Sequence, residues 1–402
     1  MQNDRLITIG KPYVNRVEGK ARLFADIDKN GKKQTVWFEV PVEYEKYLTY
    51  ELSDAFLCAA LRYSLQYKFD IKCEAPVTDE LLYNLEVHFI PALVKGVPAW
   101  HHVKILAETT SERLETLGAV GTGMSCGIDA LYSAITHSSS STKDKASQSS
   151  KGPQLTHLML GAISAFTTMD RVFRDRNLTE TEIEKEKKKV QKDISSRANK
   201  VAKELGVPLL EVDTNVSNVF GFGYYVHYTA FAVMCLKKFW GTYLLGSGYG
   251  YNDFNIAEGS SARYEFLCLA MYSTRELRFI SSGAGVNRVE KTSIIADNNT
   301  ASKHLHCCWR EGENCGKCGK CCRTMLTLYL LGKLDNFKKI LPVSYFHRQF
   351  DHYLKWLGSA VAKKDLFALE VYGLAQKSEH VERVDEWVKY YKIYNAKKGN
   401  AK

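Results

Sequence analysis

Hydrophobic and polar positions change period several times along the chain. "KARLFADI" and "QTVWFEV" carry apolar residues in alternation or in short runs, and "DKNGKK" joins them. This predicts a strand pair, with Asn30-Gly31 as a strong hairpin-turn signal. "YELSDAFLCAALRYSLQY" then takes up the spacing of an amphipathic helix. A second helix is expected in "TDELLYNLEVHFIPALVKG", started by Thr78 or Asp79 and ended by Gly96. Residues 1–108 therefore read as an N-terminal α+β domain with no catalytic constellation.

Beyond it, short apolar runs alternate with helical patterns. "HVKILAE" is a candidate strand. Leu117 to Ile135, "LGAVGTGMSCGIDALYSAI", reads as a strand, a glycine-rich turn and the start of a helix. Thr136 to Gln154 is rich in serine and lysine and predicts a surface loop. Strands follow in "LTHLMLGAISAF", "VPLLEVDTNV", "GTYLLGSGYGYND" and "LRFISSGAG". Between them lie a lysine-rich helix ended by Gly206 and helices in "YTAFAVMCLKKFW", "ARYEFLCLAMYST" and "VNRVEKTSIIAD". Strands alternating with helices imply an α/β fold, a parallel sheet covered on both faces. Ligands of such sheets bind beyond the C-terminal strand ends. From Arg323 onward the pattern is helical and aromatic, suited to a packing bundle or a homodimer contact. The expected division is 1–108, then 109–334 including a cysteine-rich segment at 304–322, then a helical region at 335–402.

The composition, 45% hydrophobic and 25% charged, is that of a globular protein. No uncharged apolar run approaches the roughly 18 residues of a membrane span, and "MQNDRLITIG" lacks the features of a secretory signal. The net charge of +10 allows an anionic ligand. Much of the excess lies in "EIEKEKKKVQKDISSRANKVAKELG", where acids and bases interleave as on a solvated helix face, which argues against a nucleic-acid groove.

Six of the eleven cysteines lie between Cys307 and Cys322, within "HLHCCWREGENCGKCGKCCRT". Clustered thiols of this kind point to a metal site in a reducing compartment, here the cytoplasm, rather than to disulfides. Cys308-x6-Cys315-x2-Cys318-x2-Cys321 supplies four thiolates, and glycines at 312, 316 and 319 let the backbone wrap them. Four soft ligands suit a closed, structural zinc site. Cys307 and Cys322 are alternative ligands, His304 and His306 weaker ones, and an iron–sulfur cluster is the other metal reading.

The turn Gly123, Met124, Ser125, Cys126, Gly127, Ile128, Asp129, Ala130 resembles the S-G-G-x-D-S pyrophosphate loop of N-type ATP pyrophosphatases. With the α/β order and the late cysteine cluster, residues Val103 to Leu334 resemble the adenine nucleotide α-hydrolase superfamily, in particular the 7-cyano-7-deazaguanine synthases. The resemblance implies a Rossmann-like domain binding ATP and Mg2+, with Zn2+ in the cysteine segment. By position, Ser125, Gly127 and Asp129 would belong to the phosphate loop, with Asp129 placing magnesium or bracing the loop. Arg288 and Lys291, in "GVNRVEKTSII", would be the basic residues near the phosphates. Gly161, Ala162 and Asp213 would edge the adenosine pocket, and Gly246, Gly248 and Gly250 mark a strand exit. Two positions depart from the pattern: Cys126 stands for a glycine and Ala130 for the final serine. A conformation with positive φ would strain Cys126.

The activity implied is attack of a carboxylic acid on the α-phosphate of ATP. Pyrophosphate leaves, and an amine displaces AMP from the acyl-adenylate to give an amide or, after a second activation, a nitrile. The acid would be a small molecule such as a 7-deazaguanine-type base, and the amine ammonia or a group on a partner protein, as in relatives that accompany antiviral operons. A sulfur-transfer or nucleic-acid-modifying enzyme and a degenerate nucleotide-binding scaffold are the competing readings.

Overall fold

The computed structural model describes residues 5–138, 152–161, 179–257, 259–308 and 312–399. The expected serine-rich loop over 139–151 and the candidate pocket residue Ala162 lie outside these.

The first strands are β1 (Leu6–Ile9), β2 (Tyr13–Val17), β3 (Lys20–Lys29) and β4 (Lys32–Pro41). The hairpin between β3 and β4 turns at Asn30 and Gly31, with φ of 51° and 87°. Two left-handed residues in succession give the twist that a two-residue hairpin needs. The expected helix runs Asp54–Tyr67, but every residue from Asp54 to Arg62 is buried, so it lies inside the core rather than presenting one amphipathic face to it. Short strands β5 (Asp70–Cys73), β6 (Val77–Thr78), β7 (Ile105–Leu106) and β8 (Thr109–Thr110) follow. The expected "HVKILAE" strand is thus reduced to two residues. The second expected helix is continuous from Asp79 to Gly96 but passes through a π-helical stretch, Asn84–Phe89.

The parallel part comprises β9 (Ala119–Gly123), β10 (His157–Gly161), β11 (Leu209–Thr214), β12 (Trp240–Gly246) and β13 (Arg278–Ser282). The main sheet has eleven strands in the order β13-β12-β9-β10-β11-β4-β3-β1-β5-β7, with β2 on β3. The α/β architecture expected from the alternation is present: a largely parallel central sheet with flanking helices. The lysine-rich helix, Glu180–Leu205, starts at a reciprocal cap between Thr179 and Glu182 and ends at Gly206, φ 70°.

The boundary at residue 108 does not coincide with a break in the sheet. β11 joins β4 antiparallel, pairing Asp213 with Glu39 and Thr214 with Phe38. Asn215 fastens the seam: its Oδ1 accepts from Trp37 N–H at 2.8 Å and its Nδ2 donates to Thr35 O at 2.9 Å. One hydrophobic core runs from Ile7 through the Asp54–Tyr67 and Tyr225–Met234 helices to Phe279.

A second core joins the helix after β9 to the cysteine segment and the C-terminal helices, from Met124 to Val388. These helices are Gly319–Leu330, Val343–Arg348, Phe350–Ala362, Leu366–Ala375 and Val381–Gly399. Residue 334 therefore lies within this packing, and Leu334 is itself buried there. No helix among the described residues is long and apolar enough to cross a membrane.

Candidate nucleotide and metal sites

The order of the parallel strands places β10 and β11 on one side of β9, and β12 and β13 on the other. The chain reverses direction of build-up between β9 and β12, the position where open α/β sheets form a ligand crevice. The turn Met124–Gly127 leaves β9 there, and Ser247–Gly250 leaves β12.

Cys126 has φ 59°, in the left-handed region. This is the position where the resemblance expects glycine, and the cysteine takes the conformation at a cost of about 1–2 kcal/mol. Its thiol is buried, which pushes its pKa up to about 12, so it is no nucleophile near neutrality. Ser125 is exposed, and its Oγ accepts weakly from Gly127 N–H at 3.4 Å. Gly123 ends β9, and Met124 N–H donates to Met159 O at 2.9 Å, tying the turn to β10.

The following helix, Ile128–His137, begins at Gly127 with no side-chain cap. First-turn N–H groups, here those of Ile128, Asp129 and Ala130, have no partner within a helix. The β12 end packs directly on this turn. A Cβ on Gly246 would lie 2.8 Å from the Asp129 carbonyl oxygen, so only glycine fits. Thr122 locks the two elements, donating to Leu244 O at 2.7 Å and accepting from Ser133 Oγ at 3.0 Å.

Arg288 and Lys291, from the Arg288–Ile295 helix, converge on Asp129. Arg288 donates to Asp129 Oδ2 at 2.6 Å, and Lys291 Nζ lies 3.4 Å from Oδ1. Lys291 also donates to Ser247 O at 2.5 Å and is almost wholly buried. Burial pulls its pKa down, while Asp129 opposes the shift. Glu290, next to Lys291 in sequence, is occupied in the Asn287 cap. Arg288 NH2 also reaches Gly248 O at 3.4 Å.

Gly161 and Asp213 end β10 and β11, on the far side of β9 from this cluster. Asp213 stands in the seam with β4, and its Oδ1 accepts from Thr214 N–H at 2.8 Å. Neither is brought against Asp129.

Other residues at the crevice carry no signal in the sequence. Glu265 is buried beside it, with Oε1 accepting from Ser281 at 2.8 Å and Oε2 without a partner. Burial pushes its pKa up to about 7. Arg323 and Lys320 come from the cysteine segment, where the metal reading absorbs them. Phe367 lies beneath two guanidinium groups, Arg288 at 4.0 Å and Arg323 at 4.6 Å from its ring centroid.

Cys308, Cys315, Cys318 and Cys321, the four singled out by spacing, bring their sulfurs within 4.8 Å of one another. Cys308 and Cys318 are 3.7 Å apart, and Cys315 and Cys321 3.9 Å. A tetrahedral cage with metal–sulfur bonds of about 2.3 Å has edges of about 3.8 Å, so the donor set fits a metal ion such as zinc. Backbone N–H groups of Lys317 and Cys318 approach Cys315 Sγ at 3.4 and 3.3 Å, the outer bonds that steady thiolate ligands. Gly312 and Gly316 supply the left-handed turns, φ 73° and 68°.

Of the alternative ligands, Cys307 borders the cage: its Sγ lies 3.9 Å from Cys321 Sγ and 3.3 Å from Asn314 Oδ1. Cys322 faces Lys317 O instead. His304 contacts Glu204, and His306 Nε2 contacts Gly312 O.

Fold and site together define an α/β protein with a glycine-turn crevice at the sheet's reversal point and a four-cysteine cluster beside it. Comparison with family models, curated proteins and solved structures returns no match for the chain.

Proposed function

We propose that this protein binds ATP at the Ser125–Ala130 turn and activates a carboxylic acid as its adenylate, releasing pyrophosphate. The observation that carries this reading is the convergence of Arg288 and Lys291 on Asp129 behind an uncapped helix start at the crevice. Free N–H donors at a helix N-terminus favour phosphate. Lys291 and Arg288 add charge where it develops on the departing pyrophosphate. The left-handed Cys126 keeps the turn open to close approach despite its side chain.

Asp129 is a partly exposed carboxylate that, with phosphate oxygens, gives the hard donors magnesium takes. Magnesium would supply charge neutralisation. Lys291, held between Asp129 and Ser247 O, keeps a fixed cation under the phosphates. The acceptor is an amine, from ammonia or from a partner protein, and a 7-deazaguanine-type carboxylic acid is the acid favoured by the resemblance. The cysteine cluster would act structurally: Cys308, Cys315, Cys318 and Cys321 would hold a zinc ion and leave no position for substrate.

The test is incubation of the purified chain with ATP labelled in the α-phosphate, magnesium and candidate carboxylic acids. AMP and pyrophosphate are expected, in amounts that depend on the acid. ADP and phosphate as the products would overturn adenylation.

A further inference from the structure

Arg323 and Lys320 stand in the cysteine segment, on the helix Gly319–Leu330. Neither takes part in metal ligation. Arg323 Nε is buried and has no hydrogen-bond partner. Among the described residues Arg323 forms no ion pair, although its guanidinium lies over Phe367 at 4.6 Å. Lys320 is exposed and stands three residues before Arg323 on the same helix, so the two side chains share one face.

The acids nearby are already engaged. Asp129 holds Arg288 and Lys291. Asp365 Oδ1 accepts from Ala368 N–H at 2.8 Å, and Glu370 accepts from Arg288 N–H at 2.8 Å. Arg323 thus lies beside Arg288 over Phe367, and its Nε receives no carboxylate oxygen. A buried, unpaired donor of this kind is costly to keep without an anion. Arg288 and Arg323 both lie over Phe367, so one polyphosphate chain can reach both groups.

We infer that Arg323 and Lys320 form a second anion subsite that takes the terminal phosphates of a polyphosphate whose inner phosphates lie at the Ser125–Ala130 turn. This rests on the reading of that turn as a phosphate site. It gives the cysteine-bearing helix a binding role: it delivers two cations to the crevice. The ligand class is pyrophosphate or a nucleoside triphosphate, and a nucleoside monophosphate would leave the subsite unused.

The test is calorimetric titration of the full chain with inorganic pyrophosphate, ATP and AMP at fixed ionic strength. Arg323→Met is expected to weaken pyrophosphate and ATP binding about tenfold or more, the scale of a lost charged hydrogen bond. Arg323→Lys should recover part of the loss, and AMP binding should not change. Lys320→Gln, at an exposed position, should weaken pyrophosphate and ATP in the same direction. Equal pyrophosphate affinity in the wild type and both variants would overturn the subsite while leaving ATP binding at the turn intact. Equal loss of AMP and ATP affinity in Arg323→Met would show a structural role and also overturn it. If Arg323→Met loses its thermal transition, Lys320→Gln decides, and an unchanged affinity there overturns the subsite. A wild-type chain that binds neither ATP nor pyrophosphate would overturn both readings.

Discussion

The main-chain N–H of His306 donates to the carbonyl oxygen of Cys126 at 2.8 Å. One bond therefore joins the left-handed residue of the glycine turn to the segment that enters the cysteine cluster. Cys126 is buried against that segment and belongs to the same core as Cys308, Cys318 and Cys321. The turn is shaped from two sides, by β9 below and by the cysteine segment above.

Cys126→Gly should relieve about 1–2 kcal/mol of left-handed strain and lose a similar amount of burial. Stability is expected to change little, and ATP affinity to stay within about twofold. Cys126→Val places a β-branched residue at φ 59° and should cost about 2 kcal/mol or more and abolish ATP binding. Denaturant melts and equilibrium ATP titration of the two variants check this. Intact binding in Cys126→Val would show that the turn does not need this conformation.

Asp129→Asn should destabilise the chain by about 2 kcal/mol, because it leaves the buried Lys291 ammonium facing a neutral amide. Lys291→Met in the same background should recover part of the loss, since it removes the orphaned charge. The double-mutant cycle measures the coupling directly, and additive effects would mean the pair contributes nothing.

Glu265 gives a pH dependence with a definite sign. Its carboxyl titrates near 7 in the folded chain, against 4.5 for an ordinary glutamate, because burial disfavours the charged form. Below pH 4.5 the group is protonated in both states and costs nothing. As pH rises through 4.5 to 7 the unfolded chain ionises first, so stability falls, and the full cost is present above 7. Glu265→Gln should therefore be more stable than the wild type at pH 8, by on the order of 2–3 kcal/mol, and the difference should vanish near pH 4.5. Melting curves across this range decide; a difference independent of pH would place the ionisation elsewhere.

The cysteine cage should carry about one zinc ion per chain by elemental analysis. Cys318→Ser should lower the metal content and the midpoint of thermal unfolding together. Chelation should also weaken ATP binding, because the segment that holds the cage is bonded to Cys126. Full ATP affinity in metal-free protein would separate the two sites.

Local chemistry was the legible part of this fold. Asn30-Gly31 fixes its hairpin through two left-handed residues, and Gly206 ends its helix at φ 70°. The four clustered cysteines were legible through spacing alone. The seam between β4 and β11 was not, because it joins segments far apart in sequence and nothing in either strand names its partner. Lys291 was named through the resemblance, but its burial was not legible, because it comes from the β12 exit packing on a helix of mixed composition. Arg323 was hidden by its neighbours: four cysteines draw the reading toward metal, while its partner ring, Phe367, arrives from the third helix further on, Leu366–Ala375.

The seam has a consequence for how the chain is made. β4 leaves the ribosome long before β11, so its outer edge must wait, unpaired, while the sequence between them is synthesised. An open strand edge is a template for association with another chain. Late non-local pairing of this kind slows folding and lengthens that exposure. Nascent chains arrested before Leu209 should therefore be the ones that need chaperone protection, and release should follow once Thr214 and Asn215 close on Trp37.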